Sequence, residues 1–367
     1  MRKILVVGLK EPLGGVENAV LAYTDNFDTS NFIVDFAFVC GRVSFEERIR
    51  NGKAIYLPNR VRHPLLYRKK LKQIFIETKY DALWCNYSGL TNIDFLKEAK
   101  KKQVPIRIIH SHTSKHSWGN QLMKYLVPYF HNKNQKIVDR YVTDYWTCSK
   151  KSADFMFGKK LSQKAVIIHN TVDTDMFSKD ENIKADVLNE FGISKDATVI
   201  GHVGRMCVEK NQCFLLDVFK EVLKLNPKAV LLFVGDGELK DTIISYAKEI
   251  GIENSVIFTL SRKDIPRLLG AMDVFLLPSI TEGFPVTVIE AQAANVPCVV
   301  SSEAVVKETD LTDTTRFVSL EENVEVWAKT VLEASNESLT NGAEKLKAAG
   351  FDSKIESEKI QKFFKGV

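Results

Sequence analysis

The 367 residues contain no apolar run near the roughly 18–20 positions that a membrane-spanning helix needs. The opening Met1-Arg-Lys-Ile-Leu-Val-Val-Gly has the look of a secretory leader, but its apolar stretch is too short for one, and a buried first strand accounts for it better. A cytoplasmic protein is expected. Cysteine is sparse: Cys40, Cys85, Cys148, Cys207, Cys213 and Cys298 are scattered with no C-x-x-C pair, which argues against a disulfide framework or a zinc ribbon. All six are expected to be reduced and mostly to fill the core. G-x-G-x-x-G is also missing, which weakens a nicotinamide-dinucleotide reading. No short repeat or low-complexity segment appears.

What is present is an alternation of short apolar strands and amphipathic helices, the signature of an α/β fold. Strands are expected at residues 3–7, 33–38, 54–56, 82–85, 106–110, 145–148 and 165–169 in the first half. In the second half they are expected at 199–203, 229–234, 256–259, 274–277 and 298–301. Runs such as Ile4-Leu-Val-Val and Val274-Phe-Leu-Leu are continuously apolar, as in parallel sheets covered on both faces. The pattern restarts at Thr198-Val-Ile-Gly-His-Val-Gly after a polar link through Asn170–Phe177 and Ser178–Asn182. Length and pattern together predict two Rossmann-like parallel-sheet domains. Residues 1–172, with a tail helix 353–367 crossing back, form one, and residues 173–352 form the other.

Charge divides along the same line. Residues 1–170 hold 29 Lys and Arg against 14 Asp and Glu, leaving 22 against 32 in the remainder. A basic first half beside an acidic second half suggests that the first half faces a polyanion: an anionic lipid, a lipid diphosphate or a nucleic acid.

Four motifs carry chemistry. Gly14-Gly15-Val-Glu17 opens a helix, where close backbone approach and the helix dipole favour an anion; a tight turn with Glu17 stabilising the helix start explains it equally well. Gly204-Arg205-Met-Cys-Val-Glu-Lys210-Asn211 follows the first strand of the second half, where α/β sheets bind ligands. The guanidinium fork of Arg205 and the compact charge of Lys210 suit the oxygens of a diphosphate leaving group. Glu282-Gly-Phe-Pro-Val-Thr-Val-Ile-Glu290 leads from a strand into a helix, with Glu290 on the helix. Its carboxylates suit paired hydroxyls, and its loop amides suit a phosphate or an anionic transition state. In Ile108-Ile-His110-Ser-His112-Thr, the two histidines share a face if the strand extends through them, and either could meet a sugar hydroxyl or be a satisfied structural histidine. His116 is expected at the surface.

With these residues assembled, the chain resembles retaining glycosyltransferase family 4, of the GT-B architecture, and within it bacterial capsular and exopolysaccharide transferases. The resemblance covers nearly the whole chain. Its specific part is the E-x7-E segment Glu282–Glu290 in its setting Phe275-Leu-Leu-Pro-Ser…Glu-Gly-Phe-Pro-Val. Gly14-Gly15, Gly204-Arg205…Lys210-Asn211, Ile167-Ile-His-Asn170-Thr-Val-Asp173…Phe177 and Leu260-Ser-Arg262-Lys-Asp-Ile-Pro support it.

The resemblance implies a cleft between two domains and a nucleotide-sugar donor, with UDP as the usual carrier. Arg205 and Lys210 would grip the donor diphosphate, Glu282 the donor sugar and Glu290 the ribose. The amides of Gly283 and Phe284 would face the sugar or phosphate. Gly14 and Gly15 would lie beside the diphosphate, and Leu260–Arg262 beside the base. His112, or less readily His110, would be the cleft histidine, with Asn170 on the acceptor side. No obligatory metal or other cofactor is implied, and Asp173-Thr-Asp175, although it spells D-x-D, is expected to be structural.

The implied acceptor is a lipid-diphosphate-linked or oligosaccharide chain rather than nucleic acid. Arg68–Lys72 with Ile74, Phe75 and Ile76, Lys97–Lys102, and Trp118–Phe130 are basic or aromatic stretches that could lie on an anionic membrane at its inner face, or pack inward as ordinary helices. Two rival expectations keep the fold: a nucleotide-sugar 2-epimerase and a non-catalytic partner subunit.

Overall fold

The computed structural model describes residues 1–11, 14–39, 41–113, 123–177 and 181–366. Cys40, His116, residues 118–122 of the aromatic stretch and residues 178–180 of the polar link lie outside the described residues. The chain divides into two compact units, Met1–Thr171 with Ser353–Val367, and Val172–Asp352.

In the first unit the order is β1 (Arg2–Val7), α1 (Gly15–Asp25), β2 (Phe32–Val39), β3 (Ala54–Leu57), α2 (Pro64–Glu77), β4 (Ala82–Tyr87), α3 (Asp94–Lys101), β5 (Ile106–Ser111), α4 (Met123–Gln135), β6 (Asp144–Thr147), α5 (Lys150–Ser162) and β7 (Val166–Ile167). The second unit runs α6 (Glu181–Phe191), β8 (Val199–Val203), α7 (Gln212–Leu225), β9 (Val230–Val234), α8 (Lys240–Glu249), β10 (Val256–Leu260), α9 (Ile265–Gly270), β11 (Val274–Leu277), α10 (Val286–Ala293), β12 (Cys298–Ser301), β13 (Thr315–Val318), α11 (Val324–Ser335) and α12 (Gly342–Ala348). The tail helix α13 (Ser353–Lys365) belongs to the first unit.

Both sheets are parallel, in the orders β3-β2-β1-β4-β5-β6-β7 and β10-β9-β8-β11-β12-β13. The continuous apolar runs explain themselves once the faces are separated. On β1, Ile4 and Val6 join the core on one side of the sheet, and Leu5 and Val7 the core on the other. On β11, Val274 and Leu276 face one core while Phe275 and Leu277 face the second. Side chains alternate across a strand, so a strand covered on both faces has no polar position to spare.

Helix α13 is amphipathic and buries Ser357, Ile360 and Phe364 at helical spacing. Phe364 packs among Trp84, Trp146, Phe27 and Phe32, with ring centroids 5.9–6.5 Å away. The Ser357 hydroxyl donates to the Tyr23 carbonyl at 2.8 Å, and the Gln361 side chain both accepts from the Asp28 amide and donates to the Asn26 carbonyl. These bonds tie α13 to the backbone at the carboxyl end of α1.

Of the cysteines, Cys85, Cys148, Cys207 and Cys298 are buried free thiols and Cys213 is partly buried. The basic stretches are mixed. Ile74 and Phe75 on α2 are core residues, which fits the inward-packing alternative at those two positions, whereas Ile76 on the same helix is exposed.

Candidate active site

Each sheet reverses its direction of growth once, and at that point the loops leaving the carboxyl ends of two neighbouring strands run apart and leave a crevice. In the second unit the neighbours are β8 and β11. Their ladder is short: Ile200 pairs with Val274 and Gly201 with Phe275. The loops beyond it are 204–211 and 278–285, and these carry Arg205, Lys210, Glu282 and Gly283.

Close backbone packing holds the first loop. A Cβ on Gly235, where φ is +146°, would meet the Gly204 carbonyl oxygen at 1.9 Å, and one on Gly237 would meet the Met206 carbonyl oxygen at 2.4 Å. Only glycine permits this approach. The Met206 amide donates to the Asp236 carbonyl at 2.9 Å, and the Ile280 amide donates to the Glu209 carbonyl at 2.8 Å. The second of these bonds joins the loop after β8 to the loop after β11.

Across that junction the Lys210 ammonium donates to Glu282 Oε1 at 2.7 Å, and the Ser279 hydroxyl donates to the same oxygen at 2.6 Å. The side chains of Lys210 and Glu282 are 18% and 10% exposed, so the pair is largely out of bulk water. The stem of Lys210 crosses Gly204, whose Cβ would stand 3.4 Å from Cε. Arg205 is exposed, and contact with the Cys207 thiol raises its guanidinium further above its already high range. Glu290 sits partly buried on α10, and burial pushes its carboxyl up to about 7. Gly283 is exposed just ahead of α10, while the Phe284 ring stacks on Phe351 at 5.8 Å and 9°.

Arg262 has a different setting. Its guanidinium takes both carboxylate oxygens of Asp264 at 2.8 Å and reaches Glu190 at 2.9 Å. Arg267 also joins Glu190, and Arg262 lies over the Phe191 ring at 5.7 Å. The side chain is therefore tied into an ionic cluster between α6 and α9, at the end of the segment that follows β10. Asp175 of the D-x-D sequence pairs with Lys347, Asp173 accepts from the Asp175 amide, and Thr174 bonds Asp352. Among the described residues no group of three or more His, Cys, Asp or Glu could hold a metal ion.

In the first unit Gly14 caps α1. Glu17, 6% exposed, accepts from the amides of Gly14 and Lys10 at 3.2 Å each, so its carboxylate stabilises the helix start. Gly15 is the first residue of the helix. His110 and His112 do share a face, with ring centroids 4.0 Å apart. His112 lies between two side-chain amides, Nδ1 3.3 Å from that of Asn170 and Nε2 3.0 Å from that of Asn86. His110 stacks on Trp84. Both histidines are buried and neutral near pH 7: burial holds His112 at about 4, and burial together with the neighbouring His112 holds His110 well below its ordinary value.

Sequence reasoning passed over Asn86, His202, Gln212 and Ser279. Each is a buried polar residue within or at the end of an apolar stretch, and that anomaly is the signal that marks them.

Residues 184–352 match the family described as "Glycosyl transferases group 1". EpsF of Bacillus subtilis, named as a glycosyltransferase, is 27% identical over 336 residues, spanning 88% of this chain and 85% of that one. A UDP-Gal:alpha-D-GlcNAc-diphosphoundecaprenol alpha-1,3-galactosyltransferase of Escherichia coli is 35% identical over 143 residues, 38% of this chain and 37% of its own. Among solved structures, HepE of Anabaena in complex with UDP aligns over the whole of both chains with a TM-score of 0.79 at 17% identity, a likeness of fold.

Proposed function

We propose that the chain is a GT-B-type glycosyltransferase, a retaining, metal-independent enzyme of family 4 that moves a sugar from a UDP-sugar to a lipid-diphosphate-linked saccharide, a reading supported by the family match, by EpsF and by the HepE fold. Its setting would be capsular, exopolysaccharide or related cell-surface glycan synthesis. The observation that carries this reading is the meeting of Lys210, Glu282 and Ser279 at the strand-order reversal of the second unit, with Arg205 on the same loop.

In the resting site Lys210 and Glu282 neutralise each other. A donor replaces both halves of that contact. Its diphosphate takes the ammonium of Lys210 and the guanidinium of Arg205, and a hydroxyl of its sugar donates to the released Glu282 carboxylate. Glu290 accepts from the ribose hydroxyls, and the amides of Gly283 and Phe284 line the sugar–phosphate junction. The bond from the anomeric carbon to the diphosphate oxygen breaks first, and two fixed cations stabilise the negative charge that gathers there. The acceptor oxygen attacks the oxocarbenium-like centre from the face the diphosphate has left. Its proton passes to a diphosphate oxygen, and UDP departs. The protein's contribution is positioning and electrostatics.

UDP as carrier is supported by the UDP in the HepE structure and by the UDP-Gal in the E. coli relative's name. That same name carries a diphosphoundecaprenol acceptor, which supports a lipid-linked one here. His112, Asn170 and, beside them, His110 are the acceptor-side residues in this reading. No described helix is long and apolar enough to cross a membrane. Val61 and Leu65, 87% and 78% exposed, stand among Arg62, Arg68 and Lys69 at the start of α2, and Tyr125 and Tyr129 are exposed beside Lys124 on α4. Apolar side chains within a basic face favour peripheral contact with anionic lipid at the inner membrane surface.

The test is incubation of the purified chain with a panel of nucleotide sugars, with and without diphosphoundecaprenol-linked saccharides. Sugar transfer with retained anomeric configuration by NMR, undiminished in EDTA, is expected. Inverted product, complete loss in EDTA, or conversion of the donor alone into its epimer would each overturn the corresponding part of the proposal.

A further inference from the structure

The loop carrying Arg205 and Lys210 does not hold its shape through those two residues. Beneath it lie His202, fully buried on β8, and Gln212, 2% exposed at the first turn of α7. The β8–β11 ladder ends at Gly201 and Phe275, although both strands continue. In the gap beyond, the His202 imidazole spans the two strands: Nδ1 lies 3.0 Å from the Leu276 carbonyl oxygen. A carbonyl only accepts, so Nδ1 carries the proton and Nε2 is left as an acceptor.

Gln212 matches that requirement. Its amide nitrogen lies 3.4 Å from His202 Nε2 and donates to the Arg205 carbonyl at 2.8 Å, using two N–H groups on two partners. Its oxygen accepts from the Cys207 amide at 3.2 Å. The chain of bonds therefore runs from Leu276 of β11, through His202 and Gln212, to the backbone on either side of Met206. Its direction is fixed throughout, because a flipped Gln212 amide would set N–H against N–H at Cys207 and a carbonyl oxygen against both Nε2 and the Arg205 carbonyl. Gly204 leaves room for the imidazole: a Cβ there would stand 3.2 Å from His202 Nε2.

We infer that His202 and Gln212 are positioning residues for the diphosphate: they lock the loop of Arg205 and Lys210 to the strand that leads to Ser279 and Glu282. The inference rests on the reading of that loop as the diphosphate site. Neither residue touches the donor. They act by keeping two cations at fixed separation from the carboxylate loop before a donor arrives, so that no reordering of the loop opposes binding.

Gln212→Leu keeps the volume and removes every polar atom of the link, while Gln212→Glu keeps the shape and loses the donor to Arg205. Binding of UDP, GDP and ADP, and of their free nucleosides, is measured by calorimetry for the wild-type chain and both variants, alongside thermal unfolding. In the wild type a diphosphate binds far more tightly than its nucleoside. In each folded variant that ratio falls at least tenfold, while nucleoside affinity changes less than twofold. His202→Gln, which retains a donor and an acceptor, loses less than His202→Leu. Equal loss for nucleoside and diphosphate, or an unchanged ratio, would overturn the inference and leave the site reading standing. If Gln212→Leu does not fold, Gln212→Glu and the His202 pair decide by the same ratios. Failure of the wild-type chain to prefer any diphosphate would overturn the site reading and the inference together.

Discussion

Lys210 Nζ and Glu282 Oε1 are 2.7 Å apart although 72 residues separate them in the chain. The two are each other's counterion in a site with little water, and removing either leaves the other charge exposed to an incomplete set of partners. Lys210→Ala should lower the transfer rate by about 10²–10³-fold, the scale for losing one fixed group that stabilises developing negative charge. Glu282→Gln keeps a hydrogen-bonding side chain beside Ser279 but discards the charge. Its loss should appear mainly in kcat, and steady-state kinetics with the preferred donor would separate the two. Activity within twofold of wild type for Lys210→Ala would remove Lys210 from the reaction.

Glu290 gives a pH signature. Its folded pKa, about 7, is above the ordinary carboxyl value because burial opposes the charged form. The folded state then binds the proton more tightly than the unfolded state. The stabilisation is complete below about 4.5 and is lost as pH rises towards 7, a change on the order of 3 kcal/mol at the limit. Glu290→Gln should flatten the dependence of Tm on pH between 5 and 7.5 and raise Tm at pH 8. Ribose hydroxyls favour the ionised form, so donor affinity in the wild type should increase with pH up to about 7, and the variant should lose that trend. Denaturation and donor titration across this range would check both.

The buried histidines act in the opposite direction. His112 and His202 are held at about 4 and His110 well below its ordinary value, all chiefly by burial. The unfolded chain takes up these protons first. Stability is therefore full above about 6.5 and declines as pH falls from there to about 4. His110→Phe preserves an aromatic ring against Trp84 and removes one proton acceptor, so the gap in Tm between pH 7 and pH 5 should narrow. A gap as wide as in the wild type would show that His110 contributes nothing to acid sensitivity.

Two glycines with positive φ make a matched pair. Gly235→Ala would drive a methyl group into the Gly204 carbonyl, 1.9 Å away, whereas Gly251→Ala meets no atom within 4 Å. The second should cost only the roughly 1–2 kcal/mol of left-handed backbone. The first should cost roughly 3 kcal/mol or more and weaken nucleoside diphosphate binding, because the displaced loop carries Arg205. Urea titration of both variants reads the difference directly.

Residues buried on both faces of a sheet were the easiest to read. β8, β11 and β12 begin and end at the residues expected for them. β13 escaped notice because Thr315-Arg-Phe-Val is an edge strand with Arg316 exposed, and a single neighbour leaves no apolar run. β7 is two exposed residues where five were expected: Val166 and Ile167 pair only with β6, so little burial extends the strand. Arg205, Lys210 and Glu282 stood out because cations and carboxylates on loops at the carboxyl ends of apolar strands have no role in a core. The Lys210–Glu282 contact itself was beyond reach, since it depends on which strands become neighbours. His202 and Gln212 were missed for a related reason: each looks like an isolated polar residue until its partners on other elements are known.

The first unit is built from two separated stretches of chain, the second from one. A nascent polypeptide emerging from its amino end would therefore have residues 172–352 available to fold before α13 has been synthesised, while Phe27, Phe32, Trp84 and Trp146 still await Phe364. The earlier-made half is thus the later to be sealed, and removal of the last fifteen residues would leave an aromatic surface open to aggregation rather than merely shortening the protein.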